Sequence, residues 1–345
     1  MSQAAERLRD PAAVPTPTLA RTDRAVPLHL VLGDSSHGVA RYAGEVASAC
    51  GAGVVRDLVT AAAHDGPVHL HLTDRLLGPT PDDAARAVER LAGAVALTVT
   101  LHDVPQPTDG PVFEARAAAY GRIVRAVRAW ATSSHHEHDL VTRWCAPEAR
   151  GAVVPLPVDR SPQAGLVPLD LEPVLGVFGF VYPGKGHREV VRAAARLCRD
   201  GTPARVRVIG RAADGHADEV ADLCRIASAL GVSIEVTGHL PDDEVAAALR
   251  SVAVPVVAHR NVSASGSLNS WLAAGRRPLV RDGAYAREMA ALRAGTLTLF
   301  RDDTLAERVA DALRRPETTW TRPGLDLAPH LPDVALAYQE WWRTT

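Results

Sequence analysis

Short runs of apolar and β-branched residues alternate along this chain with longer segments whose apolar positions recur every three or four residues. The short runs predict strands and the longer segments predict helices. The predicted strands of the first half are residues 27–33, 67–72, 95–101, 129–132 and 151–155. The predicted helices of this half lie near residues 38–50, 81–93, 112–127 and 135–144. This alternation is typical of βαβ units, in which helices connect parallel strands.

The same alternation resumes after a proline-containing break. Residues 158–173 include Pro162, Pro168 and Pro173 and show neither period, so they predict a linker. The predicted strands of the second half are residues 174–180, 204–210, 233–237, 253–258, 278–281 and 297–301. The predicted helices of this half lie near residues 187–199, 216–230, 242–250, 267–274, 284–293 and 303–314.

The two halves predict an α/β protein with two Rossmann-like, doubly wound domains that face each other across a cleft. We expect the first domain at residues 26–157 and the second at residues 174–315. Residues 1–25 are expected to be a flexible tail, and residues 316–345 a closing helix on one domain or across both. Ligands of such sheets bind at the carboxyl ends of the strands, so the cleft is the expected site.

The composition excludes several classes of protein. The net charge of −2 provides no basic field for nucleic acid. The four cysteines are widely separated and form no CxxC pair, which favours a cytoplasmic location. No apolar run approaches the roughly 18 residues that a membrane span needs. The first 25 residues lack the apolar core of a signal peptide.

The chain has 38 lysine and arginine residues, and all but one of them are arginine. The single lysine, Lys185, stands in the turn Pro183-Gly184-Lys185-Gly186 between a predicted strand and a predicted helix. Such a turn presents free backbone N–H groups and the positive end of the helix dipole, and a compact ammonium completes a seat for phosphate. We therefore expect Lys185 to bind phosphate and to take part in catalysis. The alternative is that a single lysine survived by chance.

A second turn, residues 262–268 (VSASGSL), follows the strand at 253–258 and opens a helix. Gly266 would let the backbone approach a ligand closely, while Ser265 and Ser267 would add hydroxyls to the free N–H groups of the helix start. The alternative is ordinary N-capping by serine. Because both turns follow strands of one predicted sheet, we expect them to hold the same diphosphate.

In these turns the chain resembles the retaining nucleotide-sugar glycosyltransferases of family 4, whose two Rossmann-like domains have the arrangement called GT-B. Residues 177–187 (VFGFVYPGKGH) look like the strand and lysine loop that bind the donor. Residues 236–244 (VTGHLPDDE) resemble the stretch that meets the nucleotide base. Residues 263–280 resemble the loop and helix that hold the phosphates and ribose. The resemblance covers roughly residues 27–315 and is strongest from 174 to 290.

The first half carries further parts of this resemblance. Residues 37–42 (HGVARY) look like the family's glycine-containing first loop. Residues 102–105 and 133–137 resemble two acceptor-domain segments, and residues 154–159 resemble the domain crossover. The resemblance implies nucleotide-sugar contacts from Gly38, Phe180, Lys185, Gly238, His239, Leu240, Ser265, Gly266, Ser267, Leu268 and Ser270.

The chain departs from the family's pattern on the donor side. Typical members carry two glutamates around the donor helix, one for the transferred sugar and one for the ribose, and here those places hold Val262 and Ser270. An arginine that usually precedes the lysine is replaced by Phe180.

Four neighbouring residues are candidate substitutes for these missing groups. Arg260 would supply a second cation, Asn269 or Ser270 would hydrogen-bond a ribose hydroxyl, and Glu288 would reach the cleft. Each of them is equally compatible with an exposed helix or loop position.

The resemblance implies transfer of a sugar from a nucleotide-diphosphate sugar to an acceptor hydroxyl with retention. Charge would develop on the departing diphosphate, where Lys185, the Ser265-Gly266-Ser267 loop and two helix N-termini would stabilise it. No metal or other cofactor is then expected. The acceptor is expected to be a small molecule, a natural product or a glycan.

On the acceptor side, His102 and Asp103 follow a predicted strand. They are expected to position the acceptor hydroxyl or the sugar, with His102 exchanging a proton. The alternative for His102 is a structural histidine at the strand end.

Two other groups of side chains have a functional and a structural interpretation. The run from His135 to His138 has metal-ligand types, but Ser134 and Glu137 instead predict a capping box. The second group is Arg122, Arg125 and Arg128, which suit either peripheral contact with anionic lipid or a solvated helix face.

Two other functions stay open on the same architecture. A catalytically idle protein would bind a nucleotide sugar or only a partner subunit, and the missing glutamates favour it. A nucleotide-sugar epimerase is a third function, because fold alone does not distinguish it. Transfer or slow hydrolysis of a sugar nucleotide would separate an enzyme from an idle binder.

Overall fold

The computed structural model describes residues 26–34, 37–165 and 171–345, and in these ranges the chain forms two six-stranded parallel sheets. The predicted tail, residues 1–25, lies outside the described residues, as does the middle of the predicted linker, residues 166–170. Helices follow the strands in each half, as the sequence pattern predicts.

The first half of the chain forms the first sheet. Its strands are β1 (Leu28–Leu30), β2 (Val54–Val55), β3 (Val68–Leu72), β4 (Leu97–Leu101), β5 (Ala129–Thr132) and β6 (Ala152–Val153). Its helices are α1 (Gly38–Cys50), α2 (Leu58–Ala62), α3 (Pro81–Ala94), α4 (Phe113–Ala126) and α5 (His135–Leu140), which a π-helical turn (Val141–Cys145) continues. The strand order β2-β1-β3-β4-β5-β6 reverses between β1 and β3. The prediction lacks β2 and α2, because both are too short to show a period.

The second half forms the second sheet. Its strands are β7 (Val174–Phe178), β8 (Arg205–Ile209), β9 (Ile234–Val236), β10 (Val254–Val257), β11 (Leu279–Arg281) and β12 (Thr298–Phe300). Its helices are α6 (His187–Arg199), α7 (Ala217–Ala229), α8 (Asp242–Arg250), α9 (Gly266–Ala273), α10 (Ala284–Leu292) and α11 (Leu305–Arg314). The order β12-β11-β10-β7-β8-β9 reverses between β7 and β10. Every strand predicted in this half is present.

Strand β3 shows how the first sheet is buried on both faces. Leu70 and Leu72 lie in the apolar core with side chains of α3 and α4. His69 and His71 point to the opposite face, where their rings pack against Tyr338. All four residues are at most 2% exposed, so this face buries imidazoles where most parallel sheets bury aliphatic groups.

The last helix, α12 (Leu331–Thr344), follows the second sheet in the chain but packs on the first domain. Val334, Tyr338 and Trp342 form a buried cluster with Val46 of α1 and with Val154. The helix is amphipathic, and its apolar side covers the imidazole face of the first sheet. Among the described helices, none combines the length and the hydropathy that a membrane span requires.

Candidate functional site

Two turns at the carboxyl ends of β7 and β10 lie side by side. The two strands are hydrogen-bonded neighbours, and the strand order reverses between them. In doubly wound sheets, the crevice at such a reversal is where ligands bind. The turn after β7 leads into α6 and the turn after β10 leads into α9, so two helix N-termini meet at this crevice.

Lys185 lies in the first turn and reaches the second. Its Nζ donates a hydrogen bond to Oγ of Ser267 at 3.2 Å, and the residue is only 6% exposed. Gly179 gives the ammonium its room, because a Cβ at that position would lie 3.1 Å from Nζ. The structure therefore brings together the lysine and the serine that the sequence assigns to one diphosphate.

Gly186 holds the two turns close together. Its φ is +92°, and a Cβ there would lie 2.2 Å from the carbonyl oxygen of Ala258. Glycine alone tolerates both this left-handed conformation and this close approach. In addition, the N–H of Arg260 donates to the carbonyl oxygen of Gly184 at 2.9 Å. The backbone of the two turns is thus joined on both sides of Lys185.

The N-terminus of α9 is partly satisfied by the protein itself. Oγ of Ser265 caps the helix by accepting a hydrogen bond from the N–H of Leu268 at 3.1 Å. The N–H of Leu268 is therefore occupied within the protein, and the predicted contribution of Leu268 to ligand binding stays a prediction. Gly266 and Gly38 begin α9 and α1, and a Cβ on either would meet no atom within 4 Å. The protein's own packing does not require glycine at these two helix starts.

The crevice contains basic side chains that burial holds close to neutral. Burial lowers the pKa of Lys185 to about 7. Two histidines that have no predicted role of their own lie close enough to Lys185 for its charge to act on them. Burial, and then the charge of Lys185, lowers the pKa of His187 to about 3 and the pKa of His259 well below its usual range. Each is a single histidine beside a turn, so neither spacing nor periodicity indicates it in the sequence.

Two predicted donor-side residues have partners elsewhere. The guanidinium of Arg260 donates to Oε1 of Glu189 at 3.0 Å, so its charge is neutralised by an ion pair. Oγ of Ser270 donates to the carbonyl oxygen of Gly266 in its own helix at 3.0 Å. The predicted second cation and the predicted ribose partner are thus both engaged within the protein. Asn269, the other candidate for the ribose, donates from Nδ2 to the carbonyl oxygen of Pro157.

Glu288 reaches the cleft, as predicted, but its carboxylate contacts the first domain. One carboxylate oxygen accepts a hydrogen bond from the N–H of His135 at 2.7 Å, and the other accepts from the N–H of His136 at 2.9 Å. These N–H groups belong to the first turn of α5. The carboxylate thus joins the two domains, and a nucleotide contact from Glu288 stays a prediction.

The remaining predicted donor-side positions lie near β8 and β9. The ring of Phe180 is covered by the guanidinium of Arg211, whose Cζ is 4.9 Å from the ring centroid. An arginine thus stands beside the position where the family's arginine is replaced. The predicted base-binding residues, Gly238, His239 and Leu240, form the turn after the edge strand β9, and His239 is exposed.

Across the cleft, Asp103 occupies a left-handed backbone conformation with φ of +51°. Such a conformation is uncommon for residues other than glycine and is enriched at functional sites. Arg116 holds the residue by donating to Oδ2 at 2.9 Å and to its carbonyl oxygen at 2.7 Å. Burial, and the charge of Asp103, raise the pKa of Tyr182 to about 12. The charge of Asp103 therefore acts across the cleft on Tyr182, three residues before Lys185 in the chain.

His102 is enclosed by protein groups, and the proton-transfer role predicted for it stays a prediction. Its Nε2 lies 3.2 Å from Nδ1 of His71, and its Nδ1 lies 3.4 Å from Oγ of Ser133. The residue is 5% exposed, and burial lowers its pKa to about 3. Both ring nitrogens thus face protein groups, which fits the alternative of a structural histidine at the strand end.

The histidines of α5 form a helix start. Oγ of Ser134 accepts a hydrogen bond from the N–H of Glu137 at 3.0 Å, and Oε2 of Glu137 accepts from the N–H of Ser133 at 2.9 Å. In the described part of the chain, no group of three or more candidate ligands could hold a metal ion. Arg122 is one of the three arginines that suit either contact with anionic lipid or a solvated helix face. It forms an ion pair with Glu89 at 2.6 Å.

The two domains touch beside the candidate site. Oγ of Ser134 donates to the carbonyl oxygen of Ser263 at 3.1 Å, and Nδ2 of Asn261 donates to that of Thr108 at 3.2 Å. Next to these contacts lies a cavity of about 160 Å³ between the domains. Its lining includes Gln106, His136, His259, Arg260, Ser265 and Tyr285. Ligand pockets usually measure about 300–1,000 Å³, so a ligand of that size requires a wider cleft.

The same two-domain architecture occurs in solved structures. HepE of Anabaena, solved in complex with UDP and glucose, is 14% identical with a TM-score of 0.67, and the match covers 92% of this chain and 94% of HepE. Sucrose-phosphate synthase from Thermosynechococcus elongatus is 14% identical with a TM-score of 0.62, over 82% of this chain and 71% of the synthase. The lipopolysaccharide outer core galactosyltransferase WaaB, in its apo form, is 12% identical with a TM-score of 0.55, over 88% of this chain and 80% of WaaB.

These similarities establish the fold of the chain. It consists of two Rossmann-like domains in the GT-B arrangement, as the sequence predicts. No protein-family model and no curated protein sequence matches the chain. At 12–14% identity, activity and substrates do not follow from the shared fold.

Proposed function

We propose that this protein is a glycosyltransferase that transfers a sugar from a nucleotide-diphosphate sugar to an acceptor hydroxyl. The observation that carries the proposal is the hydrogen bond from Lys185 to Ser267 at the reversal of the second sheet. It combines an ammonium with two helix N-termini in one crevice. Backbone N–H groups, a helix dipole and a lysine form the usual protein seat for a diphosphate.

The fold supports a sugar nucleotide as the ligand of this seat. HepE of Anabaena, whose match covers 92% of this chain, has been solved with UDP and glucose, and also with UDP-glucose. WaaB is described as a galactosyltransferase. By analogy, the diphosphate seat of this chain would bind a nucleotide sugar, and we propose a hexose as the sugar.

The chemistry proposed for the donor side is stabilisation of the leaving group. As the glycosidic bond to the diphosphate breaks, negative charge grows on the departing oxygen, and Lys185 and the helix N-termini are placed to stabilise it. We propose that the reaction therefore needs no metal. It would proceed with retention, as in the glycosyltransferases of family 4, and in the cytoplasm.

The proposed acceptor side centres on Asp103 of the first domain, whose charge acts on Tyr182 in the second domain, close to Lys185 in the chain. A carboxylate there would accept a hydrogen bond from the acceptor hydroxyl and align it with the sugar. Arg116 would act on the reaction through Asp103, because it fixes both the carboxylate and the carbonyl of that residue. The acceptor itself would be a small molecule, a natural product or a glycan.

One observation favours a catalytically idle nucleotide-sugar binder as the second candidate. The two positions where the resembling family carries glutamates hold Val262 and Ser270. The hydroxyl of Ser270 is bonded within its own helix, and Arg260 is paired with Glu189. An idle binder would keep the diphosphate seat and lack the groups that act on the sugar.

The test is a two-step screen with the wild-type protein and Lys185→Ala. Thermal unfolding with UDP-, GDP-, ADP- and dTDP-sugars shows whether any donor binds, because a ligand of the folded state raises the melting temperature. Release of nucleotide diphosphate from the stabilising sugar nucleotide then shows turnover. Stabilisation with slow release supports the transferase, stabilisation without release supports the idle binder, and no stabilisation contradicts both.

A further inference from the structure

Three basic side chains share the crevice between α6 and α9. Lys185 hydrogen-bonds Oγ of Ser267 at 3.2 Å, and Nε2 of His259 lies 3.5 Å from the same oxygen. His187 is the first residue of α6. The charge of Lys185 opposes its protonation, and a charge on His187 would in turn oppose protonation of His259. All three are between 4% and 8% exposed. Two of the three buried bases therefore share one serine hydroxyl, and His187 lies at the start of the adjoining helix.

The protein supplies no negative charge to this group. Among the described residues, none of the three forms an ion pair or a hydrogen bond with a carboxylate, and Nε2 of His187 is buried without a hydrogen-bond partner. Glu189, the acidic side chain of α6, forms an ion pair with Arg260. Buried cations without anions are costly, so His187 and His259 stay neutral in the protein alone, and Lys185 loses its proton near neutral pH.

The other titratable groups around the crevice do not change this balance. Tyr182 and Tyr285 stay protonated, because burial raises the pKa of each phenol. Asp103 is held by Arg116 across the cleft, and Arg211 is paired with Asp214. The charged and titratable groups near the three bases include Tyr182, Glu189, Arg260, Tyr285, Asp103 and Arg211, and the cavity that His259 lines adds His136, Arg281 and Asp282. Asp282 pairs with Arg287, and Arg281 pairs with Asp302.

We propose that His259 and His187 belong to the diphosphate site and that this site gains positive charge when the anion arrives, by taking up protons from solution. This inference rests on the nucleotide-sugar site proposed above and adds two residues and a proton to it. A diphosphate at the two helix N-termini would offer its oxygens to Lys185, His259 and His187. Each base would gain an anionic partner, and protonation would become favourable.

Proton uptake follows a definite order with pH. Burial lowers the pKa of Lys185 to about 7, so near pH 8.5 the empty site holds a neutral lysine and ligand binding takes up about one proton there. Near pH 6.5, most of that lysine is already charged. At about pH 6.5 the lysine can take up only the remaining fraction, about a quarter of a proton. Uptake beyond that fraction comes from the histidines, whose pKa values burial places far lower.

The experiment is calorimetric titration of the full-length protein with UDP-glucose, GDP-mannose, ADP-glucose and dTDP-glucose. Each titration is repeated in two buffers with different heats of ionisation, at about pH 6.5 and about pH 8.5. The diphosphate of a nucleotide sugar does not titrate in this range, so every proton taken up belongs to the protein. We expect uptake at both pH values with the nucleotide sugar that binds.

Variants assign the uptake to residues. His259→Gln and His187→Gln keep a hydrogen-bonding side chain that carries no charge. At about pH 6.5 each is expected to bind about tenfold more weakly and to take up fewer protons, because a charge-assisted bond is lost. The lysine's uptake near pH 8.5 should persist. His64→Gln, an exposed histidine of the first domain, is the control that should match the wild type.

Each result has one meaning. Binding with uptake at both pH values, reduced at the lower one by a histidine variant, supports the inference. Binding without uptake by the wild type overturns it and leaves the proposed transferase standing, and this result needs no variant to fold. Unchanged affinity and uptake in both folded variants overturn the histidine assignment. If none of the four nucleotide sugars binds, the proposed function and the inference fail together.

Discussion

Nζ of Lys185 and Oγ of Ser267 lie 3.2 Å apart, and through this contact the turn after β7 holds the start of α9. The pair joins two helix N-termini at the reversal of the second sheet. In the described part of the chain, Lys185 has no carboxylate partner, so its positive charge is available to a bound diphosphate. The contact is the structural basis of the first prediction.

Lys185→Ala should reduce sugar transfer by about 10²-fold or more, because it removes a donor from the departing diphosphate. Lys185→Arg should also impair transfer, because a planar guanidinium does not fit the space that Gly179 leaves for an ammonium. Initial rates and nucleotide-sugar affinity of both variants provide the measurement. Wild-type rates and affinity in both would contradict the assignment.

The fold should survive both replacements of Lys185. The pKa of Lys185 is about 7 in the folded protein and near 10.5 in the unfolded chain, so the folded protein releases this proton at a lower pH. Folding therefore becomes more favourable as pH rises from about 7 to about 10.5. Lys185→Ala should lose this rise, and its melting temperature at neutral pH should equal or exceed that of the wild type.

Asp103→Asn should lower the rate of transfer by about 10²-fold while nucleotide-sugar affinity stays within a few-fold of the wild type. The replaced carboxylate faces the cleft from the acceptor side and would align the acceptor hydroxyl. Steady-state rates at saturating donor separate the two quantities. Asp109→Asn is the matched control, because Asp109 also pairs with Arg116. Equal losses in both variants would mean that Asp103 serves only the Arg116 network.

Glu288→Ala should open the cleft, because the carboxylate accepts hydrogen bonds from two N–H groups of the facing domain. Two charge-assisted bonds are worth about 3 kcal/mol or more in favourable cases, which is enough to shift a domain equilibrium. Hydrogen exchange at His135 and His136 and the radius of gyration measure the opening. Glu307→Ala on the exposed side of α11 is the control. Unchanged hydrogen exchange at both amides would show that Glu288 does not hold the two domains together.

The buried imidazole face of the first sheet should make the protein acid-sensitive. Burial lowers the pKa of His29 to about 4 and of His102 to about 3, and it lowers the pKa values of His69 and His71 well below their usual range. The unfolded chain binds protons near pH 6.5, so stability should fall as pH decreases from about 6.5 to about 4. Each histidine contributes up to about 1.4 kcal/mol per pH unit.

Melting temperatures between about pH 8 and about pH 5 test this loss. His29→Leu should reduce by about one the number of protons taken up on unfolding, and so should flatten the decline. It removes an imidazole whose nitrogens have no hydrogen-bond partner among the described residues. His64→Leu at the exposed site should leave the decline unchanged. Glu137 acts in the opposite sense, because burial raises its pKa to about 8 and its stabilising proton is lost as pH rises. A melting temperature independent of pH below 6.5 would exclude an acid-sensitive sheet face.

Arg276→Met should destabilise the protein by about 3 kcal/mol. The side chain is fully buried, donates to the carbonyl oxygens of Val252 at 2.6 Å and Ala253 at 2.9 Å, and stacks on Trp320. Its removal leaves these carbonyl oxygens buried without a donor. Denaturant unfolding measures the loss, with the exposed Arg90→Met as control. Equal stability of the two variants would show that the carbonyls find other donors.

Local sequence determined the elements of the second sheet closely. Each of its six strands lies within two residues of its predicted range, because runs of β-branched residues between glycines and polar turns set strand limits locally. The helix beginning at His187 and ending at Arg199 follows in the same way from the period of its apolar positions. The strand β2 and the helix α2 could not be predicted in this way, because both are too short to show a repeat of apolar positions.

The side-chain assignments divide by whether they depend on a turn or on packing. Lys185 and Ser267 were predictable from sequence, because each stands in a turn that follows a strand. The orientation of His102 was not, because alternation along a strand does not say which face a residue at its end adopts. Glu288 was placed at the cleft, but its partners, His135 and His136, are 153 and 152 residues away.

The sequence by itself determined two doubly wound domains and a lysine turn suited to phosphate, because periodicity and turn chemistry act over a few neighbouring residues. The tertiary structure alone decided that β7 and β10 are neighbours, which brings Lys185 to Ser267 across 82 residues of chain. It also decided that His187 and His259 share the crevice with that lysine. Burial and mutual charge arise only when distant segments pack together, so the neutral state of these bases is a property of the fold.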